Sequence, residues 1–218
     1  ASRNVVARIE GTDKKNEILT LTAHYDSVPE GPGAYDNMAG AAIIMELCRY
    51  FQRYRPRRTM EFIWFGAEEK GLLGSQSYIK THADELGSHR FNMNVDLAGQ
   101  LIGGNVLGVT GEASVCDLLL KMAEKTGIGA SAKNQIWGSD SNTFAWKGIP
   151  AMTLNRDGFG MHTRHDTVDL LSAWSLERSA VLLGCIADEL GNAESFPFER
   201  KVPEKFIREL DGYFSGIR

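Results

Sequence analysis

The chain of 218 residues is 43% hydrophobic and 24% charged, which is enough apolar material for a single core that needs no disulfide staples. Its 24 Lys and Arg stand against 28 Asp and Glu, and the formal net charge of −4 excludes the basic footprint of a general nucleic-acid binder. The densest apolar stretch, residues 39–45, is too short to cross a bilayer, and no secretory signal pattern opens the sequence, so the chain reads as soluble.

Extended, β-branched segments are expected at residues 4–10 and 17–23, followed by a helix over 38–50. In that helix Met38, Ala41, Ala42, Met45 and Cys48 recur at helical spacing and read as its buried face. A strand at 59–65, apolar on both parities, leads to a helix at 73–85 and to strands at 91–97 and 106–109. Val115, Leu118, Leu119 and Met122 mark the next helix, then come a helix at 141–147 and a strand at 151–154. Helices at 176–190 and 204–214 close the chain, with Ser175 and Pro203 as their start signals. This alternation predicts an α/β fold, a mixed, largely parallel central sheet with helices on both faces, in one domain spanning 1–218. Cys48, Cys116 and Cys185 are odd in number and far apart, and they read as small apolar residues rather than disulfide or zinc ligands.

In open α/β sheets ligands gather beyond the carboxyl ends of the strands, and here those positions are rich in ligand-type side chains. His24 and Asp26 follow the second strand, Glu68 and Glu69 the third, Asp96 ends the fourth, and a glycine-containing loop after residue 154 leads to Met161 and His162. Asp36 opens the helix over 38–50. Any one of these could be an ordinary polar loop residue, but together they form a nitrogen and carboxylate set that suits zinc, with manganese or cobalt as substitutes. The adjacent carboxylates of Glu68 and Glu69 repel unless a cation neutralises one of them. Asp26, two residues beyond His24, is placed to accept the ring N–H of a metal-bound histidine.

Between residues 21 and 167 the stretches TAHYDS, AYDNMAGAA, FGAEEKGLLGS, MNVDLAG, GSDSNTFAWKGIPA and MHTRHDT follow one another in an order that resembles the co-catalytic di-zinc aminopeptidases of the bacterial leucyl aminopeptidase type. The resemblance implies the zinc-exopeptidase, phosphorylase/hydrolase-like fold and two Zn2+ ions. His24 and Asp96 would hold one ion, Glu69 and His162 the other, and Asp36 would bridge them. Glu68 would be the general base, and Asp26 would orient His24. The implied substrates are peptides with a free N-terminus, with no nucleic acid or membrane partner, in the cytoplasm or outside the cell. A mono-zinc glutaminyl-peptide cyclase and a non-catalytic receptor or scaffold domain share that fold and are the alternatives; the complete ligand set argues against both.

Other residues compete for notice. His165 falls at a variable position of its stretch and is expected on an exposed loop, while His82 and His89 are expected at the surface. Asp140 is expected to bond loop backbone near the site. Arg53, Arg55, Arg57 and Arg58 read as a solvated turn behind a helix end, where cations complement the dipole. Gly31, Pro32 and Gly33 lack the remainder of a phosphate-binding loop. Two departures from the family pattern stand out. The first ligand comes only 24 residues into a chain that starts with Ala1, so an N-terminal leader is expected to be missing. Met161 takes the place of a tyrosine that some members use to polarise the scissile carbonyl.

Overall fold

The structure is a computed structural model and describes residues 2–216. Seven strands, β1 (Val5–Ile9), β2 (Lys14–His24), β3 (Arg58–Phe65), β4 (His89–Val95), β5 (Asn105–Thr110), β6 (Ala130–Asn134) and β7 (Ala151–Arg156), form one sheet in the order β1-β3-β2-β4-β7-β5-β6. β1 runs antiparallel to β3 and β5 antiparallel to β7, and the other four pairings are parallel, so the sheet is mixed and largely parallel as expected.

Six helices cover it: α1 (Ala39–Arg53), α2 (Leu73–Thr81), α3 (Ala113–Glu124), α4 (Ser141–Trp146), α5 (Ala173–Asn192) and α6 (Glu204–Gly216). Strand alternation sorts the core into two layers. Met60 and Phe62 of β3 join Leu19 and Leu21 of β2 under α1, α3 and α5, whereas Ile63 and Phe65 face Tyr78, Phe144 and Phe206 from α2, α4 and α6. β3 is therefore buried on both faces, which is why its sequence is apolar at both parities. β2 and β4 differ, because their second face is a buried polar ladder. Thr22 donates to Asn94 Oδ1 at 2.8 Å, Asn92 donates to Thr20, and Asn94 donates to Ser139 at 2.8 Å. These groups pair with one another, with the Asn92 Oδ1 alone among them left without a partner among the described residues, and they take the place of an apolar layer.

Several expectations require correction. In α1 the buried stripe is Ile43, Ile44, Leu47 and Phe51, while Met38 and Met45 are half exposed and line a shallow groove with Val5 and Trp64. Two apolar stripes satisfy the same helical spacing, and the bulkier, β-branched one packs on the sheet. β6, absent from the sequence reading, is an edge strand with alternating partial exposure and weakly β-forming residues. α5 begins after Ser172; Ser175 lies inside it, buried, and donates to the Gln100 carbonyl at 2.7 Å. Pro203 does precede α6, and its carbonyl accepts from Phe206 and Ile207.

His89 is fully buried, 3.7 Å from Glu61 and 3.4 Å from the Tyr78 hydroxyl, and His82 stacks on Tyr78 with ring centroids 4.1 Å apart. Arg58 is likewise buried: it pairs with Glu17 at 2.7 Å and donates to the carbonyls of Leu190 and Ala193, which it caps at the end of α5. Arg53 and Arg55 are exposed as expected. All three cysteines are free and half-buried, and no helix among the described residues is long and apolar enough to cross a membrane.

Candidate functional site

From β2 the chain leads to β3 on one side, and from β3 it crosses back to β4 on the other side of β2, so a crevice opens beyond the carboxyl ends of β2 and β4. His24, the last residue of β2, and Asp96, just after β4, stand on its two walls. The turn Ala34–Met38 brings Asp36 between them, and the loop after β7 brings His162 across the top.

His24 is buried, with Nε2 3.2 Å from Asp36 Oδ1 and 3.3 Å from Asp96 Oδ1. Its Nδ1 lies 3.1 Å from the main-chain carbonyl of Asp26. That carbonyl accepts the Nδ1 proton, which leaves Nε2 free to face the carboxylates. The Asp26 carboxylate sits farther from the ring, at 3.7 Å, and accepts instead from the backbone N–H of Glu68 at 3.0 Å and of Glu69 at 3.3 Å. One residue thus fixes both the histidine and the acidic loop. His162 Nε2 lies 3.0 Å from Asp36 Oδ2 and 3.1 Å from Glu69 Oε2.

The two oxygens of Asp36 therefore serve different histidines. Two triads result, His24–Asp36–Asp96 and Asp36–Glu69–His162, and within each the ligand atoms lie within 4.8 Å of one another. Asp36 is held from below by Asp166, whose carboxylate accepts from the N–H of Tyr35 at 2.6 Å and of Asp36 at 3.0 Å. Asn37 next to it donates to the Val95 carbonyl at 2.8 Å and accepts from Gly40 and Leu97, tying the turn to the end of β4. A Cβ on Gly40 would fall 2.4 Å from Asn37 Oδ1 and 2.8 Å from the Val95 carbonyl, so only glycine lets α1 start this close to the sheet.

The electrostatics show what is being balanced. Burial works against a charged His24 ring, but the charge of Asp96 and the hydrogen bonds to Asp26, Asp36 and Asp96 carry its pKa well above the usual imidazole range. Glu68 is pushed up to about 9 by burial, with His24 acting against the shift and Asp140, Asp96 and Glu69 adding to it. Glu69 is also raised, by burial and then by Asp36. Buried carboxylates raised by burial and by one another's charge, as Glu68 and Glu69 are, are the environment a cation neutralises.

The donor chemistry fits such ions. Imidazole nitrogen and carboxylate oxygen without thiolate suit zinc, and the buried Oε1 of Glu69 has no hydrogen-bond partner among the described residues. Asp140 is fully buried behind the site, and among the described residues no backbone N–H donates to either of its oxygens, so it does not bond loop backbone as the sequence suggested. Burial instead raises its carboxyl to about 7, with His24 opposing and Asp96 and Asp26 contributing.

All seven residues singled out in the sequence, His24, Asp26, Asp36, Glu68, Glu69, Asp96 and His162, meet at this one edge. His165 stays exposed in the loop and enters neither triad. Sequence reasoning gave no role to Asp166, although it lies inside one of the quoted stretches, nor to Trp137 and Tyr213, which line the cavity beside the ligands.

The crevice at the sheet's switch point holds paired histidine–carboxylate triads whose donors could hold metal ions. The model of peptidase family M28 matches residues 4–184, and the chain belongs to that family. It is 42% identical over 87 residues to aminopeptidase YwaD of Bacillus subtilis strain 168, an overlap of 39% of this chain and 19% of that protein. To leucine aminopeptidase 2 of Trichophyton rubrum it is 33% identical over 160 residues, covering 68% of this chain and 32% of the relative. Among solved structures, BSAP, a zinc aminopeptidase from Bacillus subtilis, superposes with a TM-score of 0.79 at 28% identity, over 94% of this chain and 53% of its own. The chain thus spans about half the length of that structure and a third or less of the two curated relatives.

Proposed function

We propose that this chain is a single catalytic domain of a zinc-dependent aminopeptidase that removes N-terminal residues from peptides. The observation that carries the reading is Asp36, a buried carboxylate with one oxygen 3.2 Å from His24 and the other 3.0 Å from His162. Such an arrangement suits a bridge between two ions. His24, Asp96 and one Asp36 oxygen would hold one Zn2+, and Glu69, His162 and the other Asp36 oxygen would hold the second; Mn2+ or Co2+ suit the same donors. Bound there, the metal supplies Lewis acidity, polarising the scissile carbonyl and lowering the pKa of an attacking water towards ~7.

The chain's own residues do the rest. Glu68 belongs to neither triad yet stands beside both, so its carboxylate is free to take a proton from the water and hand it to the leaving amine. Neutralising Asp96 and Glu69 would remove two of the charges that, after burial, hold the Glu68 proton, and the group would then act as a base. Asp26 keeps Glu68 and Glu69 in register through their backbone N–H groups. The remaining negative charge of the cavity attracts the free α-ammonium group of a peptide, which favours chain ends over internal bonds. The aminopeptidase and zinc aminopeptidase names of the relatives support the same reading.

Turnover of a panel of aminoacyl-anilides with and without chelator tests it, together with metal counting and a peptide offered free and N-acetylated. The expected result is activity lost on chelation, restored with about two zinc equivalents, and confined to the free peptide. A single tightly held metal, or equal cleavage of both peptides, would overturn the reading.

A further inference from the structure

Beside the two triads lies a cavity of about 310 Å³, the space in which a substrate bound to this site would lie. Its acidic side chains, Glu68, Glu69 and Asp96, can only accept hydrogen bonds when ionised, and Met161 and the leucines of its wall bring no donor. Beside His162, the side chains among the described residues that bring a donor to this cavity are Trp137 and Tyr213. The Trp137 indole is laid flat against the sheet: a Cβ on Gly108 of β5 would come within 2.7 Å of its ring. Tyr213 arrives from α6, beyond residue 184 where the family match ends.

Its direction is fixed by packing. Phe206 and Leu210, seven and three residues earlier on the same helix face, are buried in the layer under α4. On either side of Tyr213, Asp211 accepts from the Trp146 indole at 2.7 Å and Phe214 stacks on the same indole, with centroids 4.5 Å apart. The half-buried phenol has no hydrogen-bond partner among the described residues, and burial and then the carboxylates of Glu68 and Asp140 raise its pKa. The hydroxyl is thus uncommitted among the described residues, protonated through the neutral range and in the wall of the same cavity as the candidate general base.

The geometry points to Tyr213 as a further catalytic residue: its hydroxyl donates a hydrogen bond to the carbonyl oxygen of the substrate residue being released. The inference rests on the aminopeptidase reading. As water adds to the carbonyl carbon, the C=O π pair moves onto that oxygen, and a donor already aimed at it gains strength as the charge develops. No proton leaves the phenol in this step. Glu68 on the same wall takes the proton of the water, so the acceptor and the donor of the reaction face the substrate together.

Tyr213→Phe removes one oxygen atom and keeps the ring that packs beside Phe214. In the zinc-loaded chain the variant should lose about 100-fold in kcat on an aminoacyl-anilide, the scale of one oxyanion donor, with KM within about threefold of wild type. Affinity for an aminoalkylphosphonate dipeptide analogue, measured by calorimetry, should fall by about tenfold or more, because its anionic oxygens occupy the position of the developing charge. Bound zinc and Tm should not change. A Tyr213→Phe chain with wild-type kcat and phosphonate affinity overturns the inference while the aminopeptidase reading stands. Loss of zinc, of Tm or of folding in that variant also overturns it, since the residue is then a structural support. A wild-type chain that turns over no aminoacyl-anilide with zinc present defeats the aminopeptidase reading, and this inference with it.

Discussion

Replacing Glu68 by Gln separates proton transfer from metal binding, and both effects follow from the site. Glu68 is in neither histidine–carboxylate triad, so the amide leaves every candidate ligand in place and bound zinc should stay at its wild-type level. Turnover should fall by about 10²- to 10⁴-fold, the usual cost of losing a general base, which is about 3–5 kcal/mol of barrier. Stripped by chelator, the same variant should gain stability. Burial, with the opposing charge of His24 outweighed by Asp140, Asp96 and Glu69, holds the Glu68 carboxyl up to about 9 against 4.5 for the ordinary group. A folded-state pKa above the unfolded value means that the folded protein binds this proton more tightly, so the contribution is fully present below pH 4.5 and is lost as pH rises toward 9. Over the interval from 4.5 to neutral pH the loss amounts to about 3 kcal/mol, on the order of 1.4 kcal/mol per pH unit. An amide carries no such term. Chelated Glu68→Gln should therefore resist urea better than chelated wild type at pH 7 to 8, and the two should converge near pH 4.5. Full turnover with both metals bound would refute the assigned role, and a chelated variant weaker than wild type at pH 8 would refute the electrostatic account.

Asp36→Asn should weaken both zinc sites together, whereas His162→Ala should mainly empty one; equal, single-site losses by elemental analysis in the two variants would refute the bridge. Away from the site, burial raises the carboxyl of Glu61, but hydrogen bonds from His89, Tyr78 and Arg8 outweigh it and hold the pKa down to about 2. That depressed value adds stability above pH 4.5 that disappears as pH falls toward 2, so Glu61→Gln should cost about 3 kcal/mol in urea melts at pH 7 and almost nothing near pH 2. A difference that does not change with pH would refute this.

What the sequence revealed and what it hid divide along physical lines. Strands rich in β-branched or apolar residues announce themselves, so β1 to β5 and β7 are legible, while edge strand β6, ASAKN, has no β-branched or aromatic residue and leaves no such trace. Helix existence was legible in α1 but its buried face was not, because the spacing of Met38, Ala42 and Met45 is as regular as that of Ile43, Leu47 and Phe51. Buried polar residues were misread as surface wherever their partner is remote in sequence. His89 sits against Glu61, and Arg58 reaches Glu17 and the end of α5, pairings that only the fold creates.

The metal-ligand candidates were legible because each follows a strand or opens a helix at the same sheet edge, where their chemistry can converge. The elements that hold them are a different matter. Ala67, Leu72, Leu97 and His162 all adopt left-handed backbone conformations, with φ between 57° and 67°, although none is glycine. Each such residue costs on the order of 1–3 kcal/mol, and all four flank or belong to the candidate ligand set. Nothing in their side chains signals this, because the conformations are imposed from outside: Asp26 holds the N–H groups of Glu68 and Glu69 immediately after Ala67, and Asn37 holds the N–H of Leu97. Strain placed beside Glu69 and Asp96 is balanced by the hydrogen bonds to Asp26 and Asn37, which hold those two carboxylate-bearing segments in place before any ligand arrives. The sequence can thus name the groups that meet at the site, but the aim of those groups belongs to contacts between segments as far apart as Asp36 and Asp166, 130 residues along the chain.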